Sequence, residues 1–198
     1  MAETRDFPAR QQRHGVTARL YHWSLAASVY LLVLTGFSPV IGIRFAWVEP
    51  HWVAGLLLSL LVIGHIGHSI VSRRYRIMAW PSRQGLAAQK YTDAQKLYHW
   101  AIGSLLTLLV ATGIVLTTGI DSVLGRADPH MLGPWWRGMM FVCHGLAALC
   151  CMPLILVHTY LALLPENSWL LRSIIRGHDD RRSDTDTTSA AAPGTGGR

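Results

Sequence analysis

The sequence predicts an all-α integral membrane protein: a four-helix bundle of two related helix-pair halves, with both termini in the cytoplasm. Three observations carry this expectation. The apolar residues of the 198-residue chain fall into four long blocks, roughly 20–42, 52–72, 97–119 and 138–164. Two similar stretches, Arg19-Leu20-Tyr21-His22-Trp23 and Lys96-Leu97-Tyr98-His99-Trp100, open the first and third blocks. Histidines recur at one interval of 14 residues, from His51 to His65 and from His144 to His158.

Each block is near or above the ~20 residues that cross a hydrocarbon core as a helix. A soluble bundle would show polar and apolar helix faces; these blocks are apolar nearly all round. Only 15% of the residues are charged, and the mean hydropathy is positive. The first stretch is polar and Arg-rich, and the first apolar block is too long for the core of a signal peptide. The sequence is therefore read as carrying no cleavable leader.

The net charge of +7 suggests nucleic acid until its distribution is followed. The N-terminal side holds Arg5, Arg10, Arg13 and Arg19, and the second inter-block segment Arg73, Arg74, Arg76, Arg83, Lys90 and Lys96. The C-terminal side holds Arg172, Arg176, Arg181, Arg182 and Arg198. Those are 15 of the 18 basic residues; Arg44, Arg126 and Arg137 remain for the other side. The positive-inside rule then puts both termini in the cytoplasm and segments 43–51 and 120–137 outside. The basic residues are a topology signal first and lipid-headgroup contacts second. Residues 1–16 read as a cytoplasmic tail, 17–177 as one four-helix transmembrane domain, and 178–198 as a disordered cytoplasmic tail, because that end is rich in Asp, Arg, Thr, Ala and Gly.

The blocks repeat in pairs. The first and third each reach a Thr-Gly pair, Thr35-Gly36 and Thr112-Gly113. Each is followed by a block with a histidine near its outer end and another 14 residues on. Both halves start on the cytoplasmic side, so the repeat is parallel, about an axis along the membrane normal. Tyr and Trp at the block starts suit the membrane interface.

Fourteen residues make just under four helical turns, so two histidines at that interval share a face about 21 Å apart along the axis. That is two thirds of a ~30 Å hydrocarbon core. Ionisable residues at such depth are functional candidates, and imidazole is the usual axial ligand of haem iron. The pattern is what a membrane needs to hold two haems one above the other, and it reads as a transmembrane electron-transfer cytochrome. His51 and His144 are level with each other and make the outer pair. Four histidines, His22, His65, His99 and His158, lie near the inner face, with His68 one turn beyond His65. His158 shares a face with His144 and belongs to the inner pair; repeat symmetry suggests His65 as its partner, and His22 is the other option. His14, His130 and His178 lie in loops or tails and are read as surface residues. Gly55 and Gly145 would admit either a porphyrin plane or a neighbouring helix. Pro153 should kink the fourth helix. Cys143, Cys150 and Cys151 form neither CxxC nor CxxCH, so they are read as small packing residues rather than covalent haem attachment sites.

With these residues in view, the chain resembles the gamma (cytochrome b) subunit of membrane-bound formate dehydrogenases, within the wider cytochrome b561/hydrogenase b-type group. The resemblance rests on the His-Trp of the first helix, the His that begins the second, the stretch Lys90-Tyr91-Thr92-Asp93-Ala94-Gln95-Lys96, and the His-x13-His of the fourth helix. It runs from about residue 17 to 177. It implies two haem b groups and a quinone, menaquinone or ubiquinone, as substrate. It implies His51 and His144 as axial ligands of the outer haem iron, and His22 and His158 as those of the inner one, with His65 and His99 left to a haem propionate or to proton uptake. The implied quinone site is cytoplasmic, at Thr92, Ala94 and Gln95 with His158 nearby. The family pattern there is Asn-Ala-Gly-Gln, whereas this chain has Thr-Asp-Ala-Gln. Asp93 is read as a solvated carboxylate at a helix start, with proton delivery as the alternative. The resemblance also implies a periplasmic iron–sulfur or catalytic subunit as partner, with Trp47, Trp135 and Trp136 as a docking rim or as interface anchors. Arg19 and Arg73 are candidates to balance haem charge, or to reach lipid headgroups.

The nearest rival is a self-standing cytochrome b561 that passes electrons from a soluble donor to quinone. A histidine-lined transporter of Zn²⁺ or Cu²⁺ is a further one. Metal pathways also use carboxylates at depth, and none falls inside the four blocks. An anchor without a cofactor leaves the matched histidines unexplained.

Overall fold

The computed structural model describes residues 14–73, 92–128 and 130–177. Its elements are the helices α1 (Val16–Phe37), α2 (Val48–Val71), α3 (Asp93–Thr117) and α4 (Pro134–Leu163). A 3₁₀ turn (Pro165–Asn167) and a short helix α5 (Ser168–Arg176) follow. No strand occurs among the described residues. Each predicted block is a helix, and all four long helices have the length and apolar composition to cross a membrane. The predicted N-terminal tail up to residue 13, the cations Arg74, Arg76, Arg83 and Lys90, and the predicted disordered tail lie outside the described residues.

Every long helix begins four residues earlier than the apolar pattern suggested. Polar first turns are the reason. α3 opens on a capping box: Gln95 N donates to Thr92 Oγ1 at 3.2 Å, and Thr92 N donates to Gln95 Oε1 at 3.0 Å. Two orphan donors of the first turn are thereby satisfied. α4 opens on Pro134, whose missing N–H has no partner to lose at that position. Glu49 and Asp93 therefore lie inside helices, each in a first turn, where a carboxylate meets the positive end of the dipole. The expectation of carboxylate-free helices holds only beyond those turns. α1 ends at Phe37, five residues before the predicted end. Pro39 disfavours helical geometry at Ser38, and the chain turns there with Ile43 N bonded to Ser38 O. α4 continues through Pro153.

The chain packs as two compact units. One comprises the described residues between 24 and 156. Its core joins Val29 of α1, Leu58 and Val62 of α2, Leu106 of α3 and Cys151 of α4, with Leu25, Leu32, Ile102 and Leu109 packed around them. Cys151 is thus a packing residue, as expected. α2 and α3 are the most closely packed of the long helices. Outside this thin core the helices expose large apolar side chains, among them Leu60, Ile63, Phe141 and Leu149. In water such a surface would drive association; in hydrocarbon it is the solvent-facing side. The buried hydroxyls are satisfied within their own helices, Ser28 on Ser24 O and Ser59 on Gly55 O, as a bilayer requires.

The other unit comprises residues 14–23 together with 157–177. α5 belongs to it and was not expected from the sequence. Its short sequence, SWLLRSIIR, sets Arg172, Ser173 and Arg176 among apolar residues. Ser173 is fully buried and bonds Leu170 O. Gly177 ends the helix with φ 91°, the left-handed conformation in which glycine carries no Cβ penalty. Arg19 of α1 closes the contact, donating from Nη1 to Ile175 O at 2.6 Å, while His14 N donates to Gly177 O at 3.2 Å. The cation therefore sits on the negative end of α5.

Candidate functional site

Among the described residues, six histidines meet in three pairs. In the first unit, His51 of α2 faces His144 of α4 with ring centroids 6.4 Å apart, and His65 of α2 faces His99 of α3 at 5.9 Å. In the second unit, His22 of α1 faces His158 of α4 at 6.4 Å. The sequence left His22 and His65 as alternative partners of His158. The ring beside His158 is His22, and His65 has His99 beside it.

The two rings of the His51–His144 pair are held in the same way. Thr35 Oγ1 lies 2.8 Å from His51 Nδ1, and Thr112 Oγ1 lies 2.9 Å from His144 Nδ1. Each hydroxyl donates its one hydrogen to the preceding turn, Thr35 to Leu31 O at 2.7 Å and Thr112 to Leu108 O at 2.7 Å. The threonine oxygen is then left to accept from the imidazole. That fixes Nδ1 as the protonated nitrogen and leaves Nε2 with a free lone pair. A neutral imidazole oriented through its other nitrogen is the form in which histidine binds a metal. Both threonines are buried, each only 3% exposed, so these bonds are made away from water.

Glycines complete the cradle. A methyl group added at Gly36 would lie 3.2 Å from His51 Cε1, and one added at Gly113 would lie 3.4 Å from His144 Cε1. The Thr-Gly pairs that marked the internal repeat are thus the seats of these two rings. At Gly55 and Gly145, which the sequence offered to a porphyrin plane or a neighbouring helix, a methyl at Gly145 meets open space and one at Gly55 touches Leu32. The signal for the ring seats was present as a repeated dipeptide, but nothing in the sequence said what it touched.

The His22–His158 pair is built differently. His22 Nδ1 is buried without a hydrogen-bond partner among the described residues, and so is Arg19 Nε, one turn before it. An unmet buried polar atom costs about 1–3 kcal/mol, so a further group at this ring relieves a real penalty. Trp23 packs edge-on against His22 at 5.3 Å. Arg19, a candidate to balance haem charge, spends Nη1 on α5.

The pairs can be tested for fit to an iron with two axial imidazoles. With each nitrogen about 2 Å from the metal on opposite sides, the ring centroids stand roughly 6.3 Å apart. His51–His144 and His22–His158 both meet that span. The residues present therefore fit haem iron.

Of the residues implied for a quinone, Thr92 and Gln95 hold each other in the capping box, which leaves the Gln95 amide nitrogen to donate outward. Thr92, Ala94 and Gln95 are exposed, whereas Lys96 is 1% exposed. Lys96 had been counted among the loop cations. It lies instead in the first turn of α3, with its ammonium 4.0 Å from the Asp93 carboxylate. Tyr98 donates from its hydroxyl to Leu154 O of α4 at 3.3 Å. Among the tryptophans, Trp47 packs edge-on against His51 at 5.9 Å, while Trp135 and Trp136 pack on each other at 4.6 Å and stay largely exposed.

The family model of prokaryotic cytochrome b561 matches residues 13–177. Comparison with curated proteins returns no match. With most of its length covered, the chain belongs to the prokaryotic cytochrome b561 family. Membership makes it a prokaryotic multi-pass membrane protein that binds b-type haem and transfers electrons across the membrane.

Proposed function

We propose that this member of the prokaryotic cytochrome b561 family holds two b-type haems, on His51 with His144 and on His22 with His158, and passes electrons between a periplasmic donor and membrane quinone. The observation that carries the reading is the matched pair of threonine bonds to His51 and His144. They present Nε2 of two facing rings, at a spacing that suits one iron. His22 and His158 repeat the spacing.

Bound at these pairs, haem supplies one-electron chemistry at an iron whose potential is set by its axial ligands and surroundings. The chain supplies the rest. Thr35 and Thr112 raise the basicity of their imidazoles by accepting Nδ1–H. The apolar faces of α1 to α4 keep water from the rings. The basic residues of the N-terminal segment, the α2–α3 connection and the C-terminal segment support a topology with both termini in the cytoplasm. The domain then runs over 17–177. In that topology the His51–His144 pair is periplasmic and the His22–His158 pair cytoplasmic.

The quinone is proposed to sit at the start of α3, where the exposed Gln95 amide can donate to a quinone carbonyl. Thr92 holds that amide in place, and Ala94 leaves room beside it. Trp135 and Trp136 offer an exposed apolar surface at the start of α4, which suits an iron–sulfur or catalytic subunit of the kind that formate dehydrogenase gamma subunits serve. A second reading, which the family match accommodates equally, is a self-standing cytochrome that takes electrons from a soluble donor. Dithionite-reduced protein mixed with a quinone analogue tests the shared step. Haem absorbance should return to the oxidised form, and Gln95→Ala should weaken apparent quinone binding several-fold, as expected for losing one hydrogen bond worth about 1 kcal/mol. Reoxidation by quinone at the same rate and half-saturation in Gln95→Ala would remove Gln95 from the site.

A further inference from the structure

His65 and His99 are the repeat counterparts of His158 and His22. His99 occupies in Lys96-Leu97-Tyr98-His99-Trp100 the place of His22 in Arg19-Leu20-Tyr21-His22-Trp23, and His65 follows His51 by the interval at which His158 follows His144. The structure completes the equivalence by bringing the two rings to 5.9 Å, with an interplanar angle of 63°. The haem reading uses neither residue as a ligand, so a third pair of facing imidazoles holds no metal in that reading.

The surroundings decide what such a pair can hold. His65 projects from α2 and His99 from α3, the two long helices that pack most closely. A porphyrin needs a slot between helices, and this close packing disfavours one. A single ion needs none. The 5.9 Å separation is shorter than the straight-axis span of roughly 6.3 Å and longer than the roughly 5 Å of two imidazoles in a tetrahedron. It suits two nitrogens on a bent axis, with water completing the coordination. Imidazole pairs favour Cu²⁺ and Zn²⁺ over harder ions. His65 is exposed and His99 half-buried, so the pair is accessible. Lys96, three residues before His99, has its ammonium 4.0 Å from the Asp93 carboxylate, which offsets its repulsion of a dication.

We infer that His65 and His99 form a further metal site, a two-imidazole seat for a divalent transition-metal ion, which ties α2 to α3. The site rests on the repeat and on the ring geometry, not on the identity of the haem ligands. Binding there joins two helices by a link that the free protein lacks, and so raises thermal stability.

Cu²⁺ is the sharpest probe because it heads the affinity order of the divalent ions. The test uses the detergent-purified, haem-loaded protein, stripped of adventitious metal, with His68→Ala, His65→Leu and His99→Leu variants beside it. Cu²⁺ titration followed by electron paramagnetic resonance should show one tight equivalent with nitrogen splitting from two imidazoles in wild type and in His68→Ala. That equivalent should be lost in His65→Leu and His99→Leu, with the haem content of all four proteins equal. Equal copper binding in the His65→Leu and His99→Leu variants would overturn the proposal, and so would loss of a haem on either substitution. Because haem absorbance is read on the same samples, failure of the haem reading shows as a missing Soret band, and failure of this one as missing copper.

Discussion

Thr35 Oγ1 accepts a hydrogen bond from His51 Nδ1 at 2.8 Å while donating to the Leu31 carbonyl one turn back. A backbone carbonyl thus sets the direction of a hydroxyl, and the hydroxyl sets the tautomer of an imidazole. Thr112 does the same for His144. The chain of three groups converts helix geometry into a free Nε2 lone pair.

Replacing Thr35 or Thr112 by valine keeps the shape and removes the acceptor. The imidazole then donates less electron density, which favours the ferrous state. A redox titration should show the midpoint potential of one haem rising and that of the other unchanged. Haem affinity at that site should fall by about 10–100-fold, the usual effect of losing an outer-shell partner of a metal ligand. Unchanged potentials in both variants would show that the hydroxyls only pack.

The glycine seats give a graded test. In Gly36→Ala the new methyl lies 3.2 Å from His51 Cε1, and in Gly113→Ala 3.4 Å from His144 Cε1. Each ring must shift by a few tenths of an ångström. Low-temperature electron paramagnetic resonance of the oxidised protein should show altered g values for one haem, with the larger change in Gly36→Ala. A change in both haems from either substitution would mean that the rings do not respond locally.

The α5 contact makes a prediction about stability alone. Gly177→Ala places a methyl 3.0 Å from His14 O at a φ of 91°. The left-handed conformation costs a non-glycine residue about 1–2 kcal/mol. Thermal unfolding in detergent should fall by a few degrees, with haem stoichiometry intact. No change in melting would show that α5 is not held by this cap.

At the start of α3, Thr92→Ala removes one half of the capping box and should cost about 1 kcal/mol. The Gln95 side chain stays on the Thr92 backbone N–H, which alanine keeps. The half-saturating quinone concentration and the haem potentials should therefore stay put while stability falls. A raised half-saturating concentration would show that the Thr92 hydroxyl itself contributes to quinone binding.

The four helices were legible because a membrane helix announces itself by an unbroken apolar run, which His22, His51 and His144 interrupt without ending. Their starts were not, because the first turns carry Arg19, Glu49, Asp93 and Arg137, polar residues that capping and dipole effects tolerate. Thr92 with Gln95 was a readable capping signal for α3, and Pro134 for α4. The 14-residue intervals pointed to His51 with His144. They left the partner of His158 open, since spacing along one helix says nothing about which neighbouring helix faces it. α5 fell inside the predicted domain without being read as a helix, because nine residues carry too short an apolar pattern to stand out beside four membrane-length blocks. Lys96 looked like a loop cation and is instead buried, because position in the sequence does not reveal which side of a first turn faces the protein.

The most direct measurement is pyridine-haemochrome stoichiometry on the detergent-purified protein and on His22→Ala, His51→Ala and His65→Ala. The account predicts two b haems per chain in wild type and in His65→Ala, and one in each of the other two variants. Two haems retained in His22→Ala, one lost in His65→Ala, or none in wild type would contradict it.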